Sequence, residues 1–209
     1  GNMCESGIDT DSAGGSVIFL ANRENCIASF VLSDKVREQA RPLIDGLHSD
    51  GLHTHLLSGD RQQSTIQISE QLGIEHAIGE QKPDDKLRYV NSLQQKQAIV
   101  AMTGDGVNDA PVLAGTDLSI AMGKGTQLAA ATADMVLISN DVLHIYDGYR
   151  IAKKTLRIIK QNLGWALAYN ISAIPAAAMG YIEPWLAAIG MSASSLIVVL
   201  NALRLTRDR

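Results

Sequence analysis

Cysteine is scarce in this sequence. Only Cys4 and Cys26 occur in 209 residues, far apart and in no CxxC pair. This spacing argues against a disulfide framework or a thiolate metal site and favours a reducing compartment. Excess positive charge is also lacking, since the net charge is −4. The composition therefore gives no reason to expect nucleic acid as a partner.

Charge is missing altogether from two stretches near the end of the chain. Residues 163–182 and 184–203 contain no Asp, Glu, Lys or Arg, and only Glu183 lies between them. A run of about 20 uncharged residues matches the length that a helix needs to cross a membrane. The sequence therefore predicts two transmembrane helices joined by a short turn.

Basic residues flank this pair of segments on both sides: Arg150, Lys153, Lys154, Arg157, Lys160, Arg204, Arg207 and Arg209. The turn between the segments has none. The positive-inside rule then places both ends of the pair in the cytoplasm. We expect a multi-pass protein of the plasma or inner membrane, with lipid as a partner.

The most informative stretch is residues 103–111, Thr-Gly-Asp-Gly-Val-Asn-Asp-Ala-Pro. It follows the apolar run 98–102, which reads as a strand at the centre of a parallel sheet. Asp105 and Asp109 supply carboxylate oxygens, which suit Mg²⁺. Gly104 and Gly106 allow a sharp turn close to a charged ligand. The pattern predicts magnesium-assisted phosphoryl chemistry.

Strands alternate with helices along residues 52–138, which predicts a doubly wound α/β domain with a parallel sheet. The expected strands are 16–21, 26–32, 52–57, 75–78, 98–102, 118–122 and 135–138. The expected helices are 33–47, with Pro42 an awkward member, 62–72, 82–95, 108–113, 126–133 and 140–162. Ligands bind such sheets at the carboxyl ends of the strands.

Three polar groups are expected at that edge. Ser58 and the Asp105/Asp109 pair directly follow strands, and Lys86 lies at the start of a helix. A hydroxyl and backbone amides would hold phosphoryl oxygens, the lysine would offset their charge, and the carboxylates would hold Mg²⁺. His53 and His55 would share one face of a strand; with no third ligand nearby, we expect an exposed or core-edge pair.

Residues 103–111 resemble the hinge motif of P-type ATPases, the ion pumps that form an aspartyl-phosphate. Two other segments are similar to elements of the haloacid dehalogenase fold that these pumps contain. They are Ser58-Gly59-Asp60, like its Ser/Thr-Gly-Asp element, and residues 83–86, like its lysine element. The resemblance implies catalytic roles for Ser58, Lys86 and Asp105. It also implies Mg²⁺ at Asp105 and Asp109, and ATP as substrate.

Within the same resemblance, Gly59 and Asp60 belong to the phosphate element. Gly104, Gly106 and Asn108 belong to the hinge.

Three motifs of that family are absent from the sequence. They are Asp-Lys-Thr-Gly-Thr, which carries the phosphorylated aspartate, the Thr-Gly-Glu dephosphorylation motif and Cys-Pro-Cys of the metal path. Covalent catalysis needs its nucleophile. We therefore expect a C-terminal fragment that is inactive alone. A soluble phosphatase of the haloacid dehalogenase type and a non-catalytic truncated membrane protein remain as alternatives.

Polar groups inside the predicted spans indicate a transport site. The first span carries Tyr169 and Asn170, and the second carries Met191 and Ser195, four residues apart on one helical face. A thioether is a soft ligand that suits Cu(I). The set resembles copper(I)-exporting pumps of the heavy-metal subgroup, of the kind linked to cytochrome oxidase assembly. Cu⁺ would be the transported ion and a copper chaperone a candidate partner. Copper and silver are both soft monovalent ions, so the sequence does not distinguish between them. It does not specify the direction of transport either.

The expected domain organisation has five parts. In chain order they are the end of a nucleotide-binding domain (1–32), a phosphorylation domain (33–145), a connecting helix (146–162), two transmembrane helices (163–203) and a cytoplasmic tail (204–209).

Overall fold

The computed structural model of the chain describes residues 16–22, 26–32, 35–104, 109–123, 133–139 and 141–206. The chain divides into two compact units, Gly1–Tyr146 and Asp147–Arg209. The first contains all of the strands described and four short helices. The second is helical.

The strands are β1 (Ser16–Ala21), β2 (Cys26–Leu32), β3 (His55–Leu57), β4 (His76–Ile78), β5 (Ala101–Gly104), β6 (Leu118–Met122) and β7 (Met135–Leu137). The helices are α1 (Ala40–Ser49), α2 (Gln62–Leu72), α3 (Pro83–Gln95), α4 (Ala110–Leu113), α5 (Leu143–Ala178) and α6 (Pro184–Ala202), and a 3₁₀ turn follows at Leu203–Leu205.

The strands form three groups. β1 and β2 make an antiparallel hairpin. β3 pairs in parallel with β4, and β5, β6 and β7 form a parallel sheet in that order. The predicted parallel α/β class is confirmed. The described strands form two separate parallel groups, however, where the sequence had suggested one sheet.

Local sequence signals explain the ends of several helices. Gly73 ends α2 in the left-handed conformation with φ of 75°, which glycine adopts without steric cost. Pro83 occupies the first turn of α3, where its missing N–H is not needed. The helix predicted from residue 33 begins only at Ala40. This later start places Pro42 in the first turn of α1, so the proline no longer conflicts with the helix.

The core of the first unit lies on the inner faces of these elements. Ile44, Leu72 and Ile74 form one buried cluster, packed against the partly buried Leu56 and Ile68. On the other sheet, Ile120, Ala121 and Met122 of β6 are buried, because this strand lies between two neighbours.

The apolar run 98–102 was expected to be the central strand, and this prediction is wrong. β5 starts only at Ala101, is paired with β6 alone among the described strands, and Ile99 is 89% exposed. The side chain of Asp117, which directly precedes β6, fixes where β5 starts. The Val100 N–H donates to the Asp117 carboxylate at 2.8 Å, and the amides of residues 117 and 118 donate back to the Val100 carbonyl.

The second unit consists of two antiparallel helices in contact. The Asn201 amide donates to Asn162 Oδ1 at 2.8 Å, and Trp165 Nε1 donates to Ser194 Oγ at 3.1 Å. At the far end, the Tyr169 hydroxyl approaches the Ala187 carbonyl at 3.5 Å.

The backbone hydrogen bonding of α5 is locally altered in one stretch. Pro175 lies inside the helix, and the Ser172 hydroxyl bonds back to the carbonyls of Ala168 and Tyr169 at 2.9 and 3.0 Å.

One helical segment in the described part of the chain is long and apolar enough to cross a membrane. It is Trp185–Leu205, with mean hydropathy 2.0. The expectation of two such segments is not confirmed. Helix α5 ends at Ala178, so part of the uncharged run 163–182 is not helical, and the polar Tyr169 and Asn170 lie within that run. The connecting helix and this segment form one continuous element, α5.

Candidate functional site

The start of α3 positions the lysine that the sequence singles out. The Lys82 N–H donates to Asp85 Oδ2 at 3.1 Å, which satisfies one of the amides that a helix leaves open at its N-terminus. Asp85 also pairs with Arg88, and these hydrogen bonds lower its pKa. Lys86 follows on the next position, in the first turn and a half of the helix.

Lys86 and Asp109 form the central contact of the site. The lysine Nζ lies 2.8 Å from Asp109 Oδ1, and the two side chains are only 13% and 15% exposed. Asp109 directly precedes α4, whose Val112 and Leu113 are buried. The pair therefore joins two segments 23 residues apart in a largely covered environment.

Gly104, the last residue of β5, lies against the other side of the Asp109 carboxylate. A Cβ atom at position 104 would lie 3.2 Å from Asp109 Oδ2 and 3.1 Å from Asp109 Cβ. These distances are tighter than ordinary van der Waals contact, so glycine leaves room beside this oxygen that any larger residue would reduce.

Ser58 stands at the carboxyl end of β3, as predicted, in a tight turn with Asp60. Its Oγ donates to Asp60 Oδ2 at 2.8 Å and accepts from the Asp60 N–H at 3.1 Å. The Ser58 N–H also donates to the carbonyl of Ile78, the last residue of β4, and the Ser58 carbonyl accepts from the N–H of Gln81 in the loop that follows. Gly59 is exposed in the same turn. Among the described contacts, Ser58 reaches neither Lys86 nor Asp109.

Asp105, Gly106 and Asn108 lie outside the described residues. Within the described part of the chain, no group of three or more His, Cys, Asp and Glu side chains could hold a metal. Asp109 is the one predicted magnesium ligand among the described residues, and a carboxylate oxygen is the kind of ligand that suits Mg²⁺.

Another carboxylate fixes the sheet next to the site. Asp134 accepts hydrogen bonds from the amide and hydroxyl of Ser119, at 2.9 and 2.7 Å, and so ties β7 to the buried strand β6. These bonds hold the pKa of Asp134 below its ordinary value. In the same way, bonds from Val100 and Gln94 hold the pKa of Asp117 low.

The predicted metal residues of the helical unit lie in two different settings. Tyr169 is partly buried against α6, where a Cβ added at Gly190 would be 2.6 Å from the Tyr169 hydroxyl. Asn170, Met191 and Ser195 are exposed, with Met191 at 64%. The structure thus brings Tyr169 to the facing helix and leaves the other three on open surfaces.

A family model for haloacid dehalogenase-like hydrolases matches residues 4–116. The chain belongs to this family. The match covers α3, β5 and the Lys86–Asp109 pair, so the elements predicted for the phosphate site of this haloacid dehalogenase-like chain lie in the matching segment.

The curated relatives include P-type ATPases whose names refer to copper transport. A probable copper-importing P-type ATPase of Enterococcus hirae is 40% identical over 205 residues, which are 97% of this chain and 28% of the relative. A probable copper-exporting P-type ATPase of Mycobacterium tuberculosis is 37% identical, over 99% of this chain and 27% of the relative. The haloacid dehalogenase-like chain thus spans about a quarter of the length of these relatives.

A solved structure shares the fold over nearly the whole chain. It is a zinc-transporting PIB-type ATPase in its E2.Pi state, with TM-score 0.84 and 32% identity over 94% of this chain and 32% of that one. The catalytic domain of the CPx-ATPase CopB-B matches with TM-score 0.54 and 37% identity over 59% of this chain and 49% of that one. The resemblance to P-type ATPases is therefore confirmed.

Sequence reasoning missed two features of this haloacid dehalogenase-like chain. One is the close approach of Gly190 to Tyr169, for which a glycine within an apolar run was the available signal. The other is a stacked pair of rings: His55 and His76 lie 4.7 Å apart at 9°, and His55 Nδ1 lies 2.9 Å from the Tyr89 hydroxyl. Burial, then the charges of His76 and His53, lower the pKa of His55.

Proposed function

We propose that the chain is the C-terminal part of an ATP-driven copper(I) export pump that forms an aspartyl-phosphate. The Lys86–Asp109 contact is the observation that supports this most directly. It places a cation beside the carboxylate of the hinge motif, in a setting where little water weakens their interaction. Phosphoryl transfer needs this combination, since catalysis there consists mainly of positioning and charge stabilisation.

Each residue of the proposed site has one task. Lys86 offsets the charge of the transferring phosphoryl group, and the Ser58 turn offers a hydroxyl and backbone amides to its oxygens. Asp109, together with Asp105, would hold Mg²⁺, which supplies charge neutralisation to the phosphates when bound. Gly59, Asp60, Gly104, Gly106 and Asn108 shape the loops around them.

The nucleophilic aspartate would belong to the part of the relatives that this chain does not span. So would most of the contacts to ATP. We therefore propose that the 209 residues alone do not turn over ATP, because covalent catalysis requires the missing carboxylate.

The helical unit is the proposed membrane part. Trp185–Leu205 satisfies the length and hydropathy of a membrane span. We propose that the antiparallel α5 crosses beside it, with both ends in the cytoplasm of a cell-membrane protein. Polar contacts such as Trp165 to Ser194 support the pairing, because helices in lipid associate through close packing and hydrogen bonds.

Tyr169, Asn170, Met191 and Ser195 are the proposed copper ligands. The three exposed members would face helices of the parent pump outside this chain, which could complete a soft-metal site. The relatives include one pump described as importing and others described as exporting copper, so the direction of transport, export, is part of the proposal. Delivery of the ion by a copper chaperone is a further part of it.

Phosphoenzyme formation in the full-length parent pump tests the catalytic part. Lys86→Ala and Asp105→Asn should each reduce labelling from ATP by at least about 100-fold, a loss typical of removing one charge-stabilising group. Lys96→Ala, which removes an exposed lysine after α3, is the matched control and should label normally. Normal labelling of Lys86→Ala would contradict the role of the pair.

Metal-stimulated ATP hydrolysis tests the transport part. Met191→Ala should weaken Cu(I) stimulation of the parent, because it removes a thioether ligand. Met179→Ala is a close control, since Met179 and Met191 are each 64% exposed. Equal effects of the two variants would remove Met191 from the metal site.

The soluble-phosphatase alternative has its own test. Hydrolysis of an aryl phosphate by the isolated chain, abolished by Asp109→Asn, would favour a phosphatase over a pump.

A further inference from the structure

A stripe of basic side chains runs along α5 just before its uncharged segment. Arg150, Lys153, Arg157 and Lys160 recur at intervals of three and four residues, which places them on one face of the helix. Lys153, Arg157 and Lys160, with Leu156 and Gln161, line a shallow groove.

Contacts between the two helices fix the level of this groove. Lys154 Nζ donates to the Arg204 carbonyl at 2.9 Å, and the Asn201 amide donates to Gln161 Oε1 at 3.3 Å. The candidate span ends at Leu205. The groove therefore lies beside the polar end of that span, at the depth of lipid headgroups if the span crosses the membrane as proposed.

The composition around the groove suits a membrane surface. Leu156 and Ile159 are 52% and 54% exposed next to the cations, and residues 148–182 contain no Asp or Glu. Lysine and arginine at such positions keep their charges among headgroups while their stems cover apolar surface.

We infer that Lys153, Arg157 and Lys160 form a binding site for the headgroup of an anionic phospholipid. This inference rests on the proposed membrane location of α5 and α6. The three cations attract the phosphodiester of a lipid such as phosphatidylglycerol, and Leu156 contacts its glycerol or acyl region. Phosphatidylcholine, whose headgroup has no net charge, binds more weakly.

Native mass spectrometry of the 209-residue chain in detergent tests the site by titration with single lipids. Phosphatidylglycerol should bind wild type more tightly than phosphatidylcholine. The Arg157→Gln/Lys160→Gln double variant should weaken phosphatidylglycerol binding by about 30-fold, since each cation near a membrane surface contributes about a factor of five. Lys35→Gln/Lys96→Gln removes two exposed charges elsewhere and should change nothing.

A conservative variant separates lost charge from lost structure. Arg157→Lys/Lys160→Arg keeps both charges and should retain selectivity for phosphatidylglycerol. Equal binding of the two lipids to wild type would overturn the site. Direct binding of inorganic phosphate over the same concentration range would overturn its assignment to lipid.

Failure of the underlying membrane proposal has a different signature. If the chain is extracted by alkaline carbonate from vesicles of pure phosphatidylcholine, the membrane location itself is wrong. If it stays in those vesicles and shows no preference for phosphatidylglycerol, only the headgroup site is wrong.

Discussion

Replacing Lys86 by methionine should destabilise the sheet-containing unit by roughly 3 kcal/mol. At 2.8 Å and an effective dielectric constant of about 20, the gross attraction between Lys86 and Asp109 is about 6 kcal/mol, and desolvation of both groups opposes it. Removing one partner leaves Asp109 covered without a counter-charge, which costs about 3–5 kcal/mol for fully buried pairs. The residual exposure of 13% and 15% favours the lower end.

A double-mutant cycle isolates the pair from other effects of the substitutions. Asp109→Leu should also destabilise, but Lys86→Met/Asp109→Leu should cost less than the sum of the single variants by roughly 1–3 kcal/mol. Arg88→Met is the control, because Arg88 pairs with Asp85 while 78% exposed and should contribute less than about 1 kcal/mol.

The assay is urea unfolding of the chain in mild detergent, read by hydrogen exchange at the amides of β6. These amides lie in the sheet-containing unit, so they report on it independently of the apolar helices. A change below about 0.5 kcal/mol for Lys86→Met, or strict additivity in the cycle, would refute the reasoning.

Three further predictions concern other parts of the chain. Gly190→Ala should lower the unfolding temperature of the helical pair, because its Cβ would lie 2.6 Å from the Tyr169 hydroxyl; Gly164→Ala, with no atom within 4 Å, should raise it slightly. His55 has a pKa below its ordinary 6.5, so its stabilising effect is complete above pH 6.5 and is lost as the pH falls through the lowered pKa. In the His55→Asn variant, the free energy of unfolding should change less with pH between pH 6.5 and the lowered pKa of His55. The pKa of Asp134 is below its ordinary 3.8, so Asp134 stabilises the fold fully above pH 3.8 and loses this effect as the pH falls through the lowered pKa. The difference in free energy of unfolding between wild type and Asp134→Asn should therefore become smaller below pH 3.8.

Each of these three predictions has a measurable result that would contradict it. The two glycine variants can be followed by the fluorescence of Trp165, which lies in the contact between the helices, and equal shifts would deny the close approach. For the two titrating residues, urea midpoints measured from pH 3 to pH 8 suffice. Curves of wild type and variant that run parallel through the stated intervals would contradict the linkage.

Local signals in the sequence determined much of the fold. The bounds of α2 and β6 match the predictions because Gly73 ends one and turn residues flank the other. The proximity of Lys86 and Asp109 was also within reach, because ligand groups in α/β domains gather at one edge of the sheet. The bounds of α2 and β6 follow from signals within a few residues of each element, whereas the Lys86–Asp109 contact, between residues 23 apart, follows from a general rule of α/β topology.

The failures arise from contacts that are distant in sequence. The run 98–102 looks like a central strand, but Asp117 bonds to the Val100 amide and sets the start of β5 at Ala101. Near the start of α1, Val36 and Ala40 likewise pack against the cluster that contains Leu72, a contact between segments distant in sequence. Hydrophobic periodicity contains no information about either contact.

Pro175 and Ser172 together make one stretch of α5 easier to deform than the rest. Proline has no N–H to donate to the Ile171 carbonyl, and the Ser172 hydroxyl competes for two carbonyls one turn earlier. Bending α5 around Ser172 and Pro175 breaks fewer intact backbone hydrogen bonds than bending it elsewhere along its length. The Tyr169 hydroxyl lies one turn from this weak point, so a modest change of tilt can withdraw it from Gly190 while both halves of the helix stay folded.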